Sequence, residues 1–506
     1  MSDTLQSGLY AAFAHTFHRR ASAVLLDDGA RRLTGADILG ETEAWAGALA
    51  SLGVVKGDRI AVQVEKSLDV ALLYLASLRI GAVYTPLNTA YRKGEISYFL
   101  GDAEPKLFVC EPSQLDTYRD AAMAVGGTIA TLDELYALSS NPAPAPATLL
   151  TGSDLAAIIY TSGTTGRSKG AMITQSNLVS NARTLGEIWG FTEDDVLVHT
   201  LPLYHIHGLF VALNTTLLAG GRVLLQPGFE AGAAIAALPG ATVFMGVPTY
   251  YTRLLSDARF DRAATAGMRL FVSGSAPLLT ETFEAFQART GHTILERYGM
   301  SEAGMICSNP LEGPRIAGAV GPPLPGVEVR VADAEGRPLP RGEIGVLEVR
   351  GPNVFAGYWR MPDKTRDEFR GGDFFITGDM ATQDEAGYVR IVGRAKDLII
   401  CGGLNVYPKE IEDLLDGFDG VDETAVIGLP HPDFGEAVAA AIKLKPGVEA
   451  PSAEAVIREA KEQIAGFKVP KAVFFVDELP RNAMGKVQKA ALRDRYKDTF
   501  TPAAGA

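Results

Sequence analysis

Apolar and polar positions alternate between two periods along the first four-fifths of the chain. Ala36–Leu52 is spaced for one face of a helix, Arg59–Val64 reads as a strand, and Leu68–Leu78 as a helix. Gly81–Thr85 is a strand again and Glu95–Leu100 a short helix. This βαβα order predicts parallel or mixed sheets covered by helices. Leu155–Ile159 is uninterrupted apolar and predicts a buried strand, and Asn141–Pro146 is a Pro/Ala spacer expected to separate two sheets of one body. Between Val327 and Val349 the texture changes. Strands Val327–Val331 and Ile344–Val349 flank a turn at Pro338–Gly342, which predicts a small, largely antiparallel β unit.

A second change falls near Arg394–Leu398. The remainder is about a hundred residues, enough for a compact domain. It carries helical patterns at Glu410–Asp416 and Ala453–Phe467, and strand patterns at Glu423–Leu429, Val438–Lys445 and Lys471–Val476. The expected architecture is α/β, with a large N-terminal domain over 1–395 and a small C-terminal domain over 396–506. Met1–Arg20 contains Asp3 and lacks the apolar core of a secretory signal, so it predicts a helix leading into the first domain, with a transit peptide left open by Arg19-Arg20.

Composition narrows the possibilities. The 506 residues are 47% hydrophobic and 21% charged, with a formal net charge of −13. That balance argues against a nucleic acid or an anionic membrane as the main partner. Ala71–Thr85 comes nearest to a membrane span, but Arg79 interrupts it. The three cysteines, Cys110, Cys307 and Cys401, are widely separated and suggest neither a disulfide framework nor a metal site, which points to a reducing, cytoplasmic setting.

Five segments carry chemistry. Tyr160-Thr-Ser-Gly-Thr-Thr-Gly-Arg-Ser-Lys-Gly170 follows the predicted strand Leu155–Ile159. Its glycines let backbone N–H groups close on an anion, its hydroxyls donate to phosphate oxygens, and Lys169 adds a mobile charge. It is a polyphosphate loop but not a Walker A loop. Arg297-Tyr-Gly-Met-Ser-Glu302 offers an aromatic for a purine, a hydroxyl for a phosphate and a carboxylate for magnesium, although alone it equally suits a surface turn. In Phe375-Ile-Thr-Gly-Asp379 an aspartate just past a strand could accept from ribose hydroxyls or simply cap a turn. Gly393-Arg-Ala-Lys-Asp397, with Gly402-Gly403 and the helix start at Pro408, reads as either a ligand-facing hinge or a plain interdomain turn. In Pro480-Arg-Asn-Ala-Met-Gly-Lys486 a lysine follows a glycine in a loop.

In this order the five segments resemble, over nearly the whole chain, the acyl-activating superfamily of acyl-CoA synthetases, adenylation domains and luciferases. The resemblance implies a mobile C-terminal domain and two steps. A carboxylate first attacks the α-phosphate of ATP, giving acyl-adenylate and pyrophosphate; a thiol, usually of coenzyme A, then displaces AMP. It further implies that Thr161, Ser162, Gly163, Thr164, Thr165, Gly166 and Lys169 wrap the β- and γ-phosphates. Ser275, Ala276 and Pro277 would flank the adenine, with Tyr298 and Gly299 on its other side. Ser301 would touch the α-phosphate, and Glu302, with Thr161, would hold Mg²⁺. Asp379 and Arg394 would hold the ribose. Lys396 would be the hinge, Gly402 and Gly403 would lie on the coenzyme A side, and Lys486 would bridge the carboxylate and the α-phosphate.

The acid is read from three places. Arg297 suits a second carboxylate on the substrate, which it can grip with two hydrogen bonds. Leu203-Tyr-His-Ile-His-Gly-Leu-Phe210 puts His205 and His207 on one side of an expected extended segment, with His207 facing the substrate. Thr249 and Arg253 share a helix face and, with Ser273, complete the implied acid-binding set. These segments look closest to malonyl-CoA synthetases, which also take methylmalonate. The alternatives are a short- or medium-chain monocarboxylate–CoA ligase and a carrier-loading adenylation enzyme. For the latter no carrier serine follows before Ala506. A non-catalytic nucleotide sensor would need neither Lys486 nor Glu302. Expected partners are the acid, ATP and coenzyme A, a lysine acyltransferase or deacylase acting on Lys486, and at most a second copy of the chain.

Overall fold

The structure is a computed structural model and describes residues 8–145, 147–161, 168–401, 404–432, 434–482 and 485–500. Backbone packing divides the chain into two compact units. One comprises 1–328 with 349–375, the other 329–348 with 376–506.

The first unit is built on two sheets. A six-stranded sheet runs Thr128–Ala130, Leu107–Cys110, Arg59–Gln63, Val83–Pro86, Leu155–Thr161, Lys169–Thr174. Its pairs are parallel except the last, where Leu155–Thr161 meets Lys169–Thr174 antiparallel. The helix Leu68–Ile80 is apolar on all sides because it is buried on nearly all of them. Ser67 caps its start, and Gly81, at φ +73°, ends it in the left-handed conformation that only glycine adopts cheaply. An eight-stranded sheet has the order Gly304–Ser308, Leu295–Met300, Leu270–Ser273, Val243–Gly246, Val196–His199, Arg222–Leu225, Val24–Asp27, Arg32–Thr34. Only its two outer pairs are antiparallel. Its helices enclose a core rich in aromatic rings, including Phe244, Tyr251, Phe260, Phe271 and Phe286.

The spacer does not separate two sheets. The strand after it, Leu155–Thr161, pairs with Val83–Pro86 in the same sheet as the strands before it. The spacer is instead held against the first unit. A Cβ at Gly47 would fall 2.4 Å from the Pro142 ring and 2.5 Å from the Ala143 carbonyl, and Thr148 N–H donates to Arg79 O at 3.0 Å.

In the second unit, the antiparallel strands Phe374–Gln383 and Val389–Arg394 put Asp379 opposite Arg394. Asp379 therefore lies within a strand rather than just past one. The C-terminal part is a sheet ordered Leu404–Val406, Ile399–Cys401, Gly435–Leu444, Val421–His431, with Ala472–Phe475 parallel to Gly435–Leu444. Helices Pro408–Asp416 and Ala453–Gln463 cover one face through Ile411, Leu415, Val456 and Ala460.

Candidate active site

Parallel strands deliver side chains at their carboxyl ends, where ligands of α/β sheets collect. Four adjacent strands of the eight-stranded sheet do so here, bringing together His199, the Gly246–Val247 turn, Ser273 and Arg297. Arg297 is 3% exposed, and its Nε and Nη2 have no hydrogen-bond partner among the described residues. Its guanidinium lies on the backbone of Gly274, where an added Cβ would come within 2.4 Å of Cζ. Burial pushes the Arg297 pKa down to about 9, so it remains a cation at neutral pH.

Two more buried polar atoms near this cation lack partners among the described residues, His207 Nε2 and Ser273 Oγ. His207 does not sit on an extended segment. Residues His207–Leu213 form a π-helical turn, a distortion common at functional sites. In this turn Gly208 packs so tightly that a Cβ would meet Pro202 O at 2.1 Å. His207 Nδ1 faces Ser275 Oγ at 3.3 Å. With Ser275 donating, Nε2 carries the ring proton and is a donor with no partner among the described residues. Ser275 is held at φ +74°, a strained angle for a serine. Burial, then the charge on Arg297, keeps His207 well below its usual pKa and pushes His205 down to about 4, so both rings are neutral. His205 Nδ1 accepts from His207 N–H at 3.2 Å. Three and four residues beyond His207, Phe210 and Val211 join Ile206, Asn181 and Ser301 around a small cavity of about 20 Å³. Thr249 is half-buried on the helix Pro248–Leu255, whereas Arg253 on that helix is exposed, beside Tyr250. The arginine among the histidines is thus Arg297, not Arg253.

A second cluster is acidic. Glu302 is 6% exposed and its Oε1 accepts from Thr161 Oγ1 and from the Tyr358 hydroxyl, each at 3.2 Å. A buried carboxylate beside a hydroxyl suits Mg²⁺, which takes oxygen ligands and shares them with phosphates. Lys169 Nζ pairs with Glu368 at 3.2 Å and lies 4.2 Å from the centre of the Tyr358 ring. Tyr358 thus touches both the acid and the phosphate-loop lysine. Nothing in its sequence context, Gly357-Tyr-Trp359, signals that role. Ser162, Gly163, Thr164, Thr165 and Gly166 lie outside the described residues, as do Gly402 and Gly403. Tyr298, Gly299 and Ser301 are half-buried along the hairpin that carries Glu302, with Ala276 half-buried and Pro277 exposed beyond Ser275. Gly299 has no room for a side chain, since a Cβ would meet Gly304 O at 2.1 Å.

In the second unit Arg394 Nε pairs with Asp379 at 2.7 Å. Lys486 is close enough to feel both. Burial and then Arg394 lower its pKa to about 8, with Lys396 adding and Asp379 opposing. Lys396 itself is exposed in the short turn Ala395–Asp397. The backbone of Lys486 is fixed by Asn482, whose Oδ1 accepts the Lys486 N–H at 3.0 Å.

Residues 13–359 match the AMP-binding enzyme family and residues 410–486 the AMP-binding enzyme C-terminal domain, so the chain belongs to this family. Among solved structures it is similar to ATP-bound MatB from Rhodopseudomonas palustris, at 50% identity and a TM-score of 0.94 over 97% of this chain and 100% of that one. A mitochondrial malonate–CoA ligase of Mus musculus is 35% identical over 87% of this chain and 82% of its own. A feruloyl-CoA synthase of Amycolatopsis is 34% identical over 94% and 96%.

Proposed function

We propose that this chain is an AMP-forming acid–thiol ligase that uses ATP to join malonate to coenzyme A. The observation that carries the acid is the buried Arg297 cation with two unmatched nitrogens, flanked by the unmatched His207 Nε2 and Ser273 Oγ. Malonate has one carboxylate to react and one to be recognised. The second fits a site that offers a cation, an imidazole N–H and a hydroxyl. A feruloyl or aliphatic tail would leave all of them unpaired in a dry pocket, at a cost of about 1–3 kcal/mol for each neutral group and more for the charge. The malonate–CoA ligase among the relatives supports the same reading.

In the first step a carboxylate oxygen attacks the α-phosphorus of ATP and pyrophosphate leaves. In the second, the thiol sulfur attacks the acyl carbon and AMP leaves. Lys486 neutralises charge where two anions meet in the first step. Asp379 accepts from the ribose hydroxyls and Arg394 holds Asp379 in place. Glu302, with Thr161, would hold Mg²⁺, which when bound supplies charge neutralisation on the phosphates. Residues 396–506 move as a body about Lys396 between the steps, and three buried, unpaired cysteines suit a reducing, cytoplasmic setting.

The test is Arg297→Ala assayed on two acids. Losing one partner of a buried charged pair costs roughly 3–5 kcal/mol. The kcat/KM for malonate should fall at least a hundredfold, at about 1.4 kcal/mol per tenfold. That for propionate should hold or rise. Equal loss on both acids would remove Arg297 from the acid site and favour a monocarboxylate ligase.

A further inference from the structure

Lys66 and His199 take no part in the chemistry above, yet they connect to it. Lys66 follows the strand Arg59–Gln63 and precedes the helix Leu68–Ile80 in the six-stranded sheet's half of the unit. Its Nζ lies 2.9 Å from His199 Nδ1 and 2.7 Å from His199 O. His199 ends the strand Val196–His199 of the other sheet and is buried. On the far side of its ring, Nε2 lies 2.9 Å from Gly208 O.

The protons on this chain are determined. A carbonyl only accepts, so His199 Nε2 carries a proton. Burial, then Lys66, keeps His199 well below its usual pKa, so the ring is neutral and, with Nε2 protonated, Nδ1 is the bare nitrogen. Nδ1 therefore accepts from the Lys66 amino group, whose own pKa burial lowers well below the usual value. Gly208 is the residue after His207 and stands in the first turn of the π-helical segment. Its carbonyl is the acceptor, and its Cα is pressed against Pro202 O. The Gly208–Leu209 peptide, one residue beyond His207, is therefore held by His199, and His199 is held by Lys66.

We propose that Lys66 and His199 are positioning residues for the acid subsite, fixing through the Gly208 carbonyl the turn that aims His207 Nε2 at the substrate's distal carboxylate. The proposal rests on the dicarboxylate reading. It adds that selectivity for a diacid depends on a lysine from the other sheet, which touches neither acid nor nucleotide.

Lys66→Met keeps the aliphatic stem and removes the amino group. It should raise KM for malonate tenfold or more, with KM for ATP and for propionate within twofold of wild type and the apparent Tm little changed. His199→Gln retains a donor toward Gly208 and should stay within threefold for malonate, whereas His199→Leu should lose tenfold or more. This second pair decides the matter if Lys66→Met does not fold. Spectra of ¹⁵N-histidine-labelled enzyme should show His199 protonated at Nε2 and should show the His207 signals moving in Lys66→Met or His199→Leu without any substrate present. An unchanged KM for malonate, or parallel loss for malonate and ATP with a falling Tm, overturns the proposal. If wild type turns over no dicarboxylate, the malonate reading fails by itself. The His207 signals then decide alone: moved, they sustain the positioning pair, and unmoved, they sink it.

Discussion

The lysine proposed to act in the first step alone is best read through its protonation. Lys486 sits at about 8, lowered by burial and by Arg394. A base with a depressed pKa is charged below that value and neutral above it, so adenylate formation should weaken as pH rises through about 8. ATP brings phosphates that favour the cation. The limb in kcat should therefore lie above the limb in kcat/KM, which a pH profile of ATP–pyrophosphate exchange would show. Lys486→Ala should abolish exchange yet leave thioester formation from preformed malonyl-adenylate within a few-fold, and equal loss in both would end this assignment. A low amine pKa also leaves more free amine at neutral pH, so Lys486 should take an acyl group readily from a lysine acyltransferase. Stoichiometric acylation should silence exchange, because it removes the charge. At this scale Glu302, Asp379, Arg394 and Lys486 stood out only together: each string alone suited an ordinary turn or loop, and the order of the five segments singled them out. Lys66, His199, Gly274 and Tyr358 were not legible. Their partners lie from nine to 189 residues away, and each is an ordinary residue in an ordinary context.

Among elements, the hairpin Leu295–Met300 and Gly304–Ser308 carries Arg297, Tyr298, Ser301 and Glu302, and its outer strand is an edge of the sheet. The Asn181 side chain serves as a substitute strand there. Its Oδ1 accepts from Met305 N–H at 3.1 Å and its Nδ2 donates to Met305 O at 3.0 Å. Asn353 also donates to Met305 O, at 3.0 Å, so that carbonyl would keep a partner without Asn181. The loss in Asn181→Leu falls on the buried Met305 N–H, about 1–3 kcal/mol. The urea midpoint should drop accordingly and KM for ATP should rise as the Glu302 turn loosens; an unchanged KM would separate the edge from the site. Most helices and strands were legible from periodicity, since Leu68–Ile80 and Arg59–Gln63 bury what their patterns say they should. The π-helical turn was not. The same residues suit an extended run, and the deciding contact, Gly208 against Pro202 O, is a matter of packing rather than pattern.

For the molecule as a whole, the change of texture near residue 395 was visible in the sequence, while the packing division at 328/329, 348/349 and 375/376 was not, because the chain crosses it three times. A pivot at Lys396 makes a separate prediction. Lys396→Pro fixes φ and removes a donor, so one half-reaction should fail while the other survives, and wild-type rates in both would exclude Lys396 as the pivot. The buried cation has a further effect on the whole chain. Burial lowers the Arg297 pKa from its ordinary value to about 9. Below pH 9 both the folded and the unfolded chain carry the proton, and the folded state bears the full cost, on the order of several kcal/mol at about 1.4 kcal/mol per pKa unit. That cost eases only as pH climbs above 9 toward the ordinary arginine range. Malonate should relieve it at neutral pH and raise the apparent Tm without ATP, while Arg297→Met should raise the Tm unaided and lose the response to malonate. Cells degrade proteins in proportion to their unfolded fraction. A chain whose stability is completed by its own substrate should accumulate when that acid is plentiful and be cleared when it is scarce, so its abundance should follow metabolic supply.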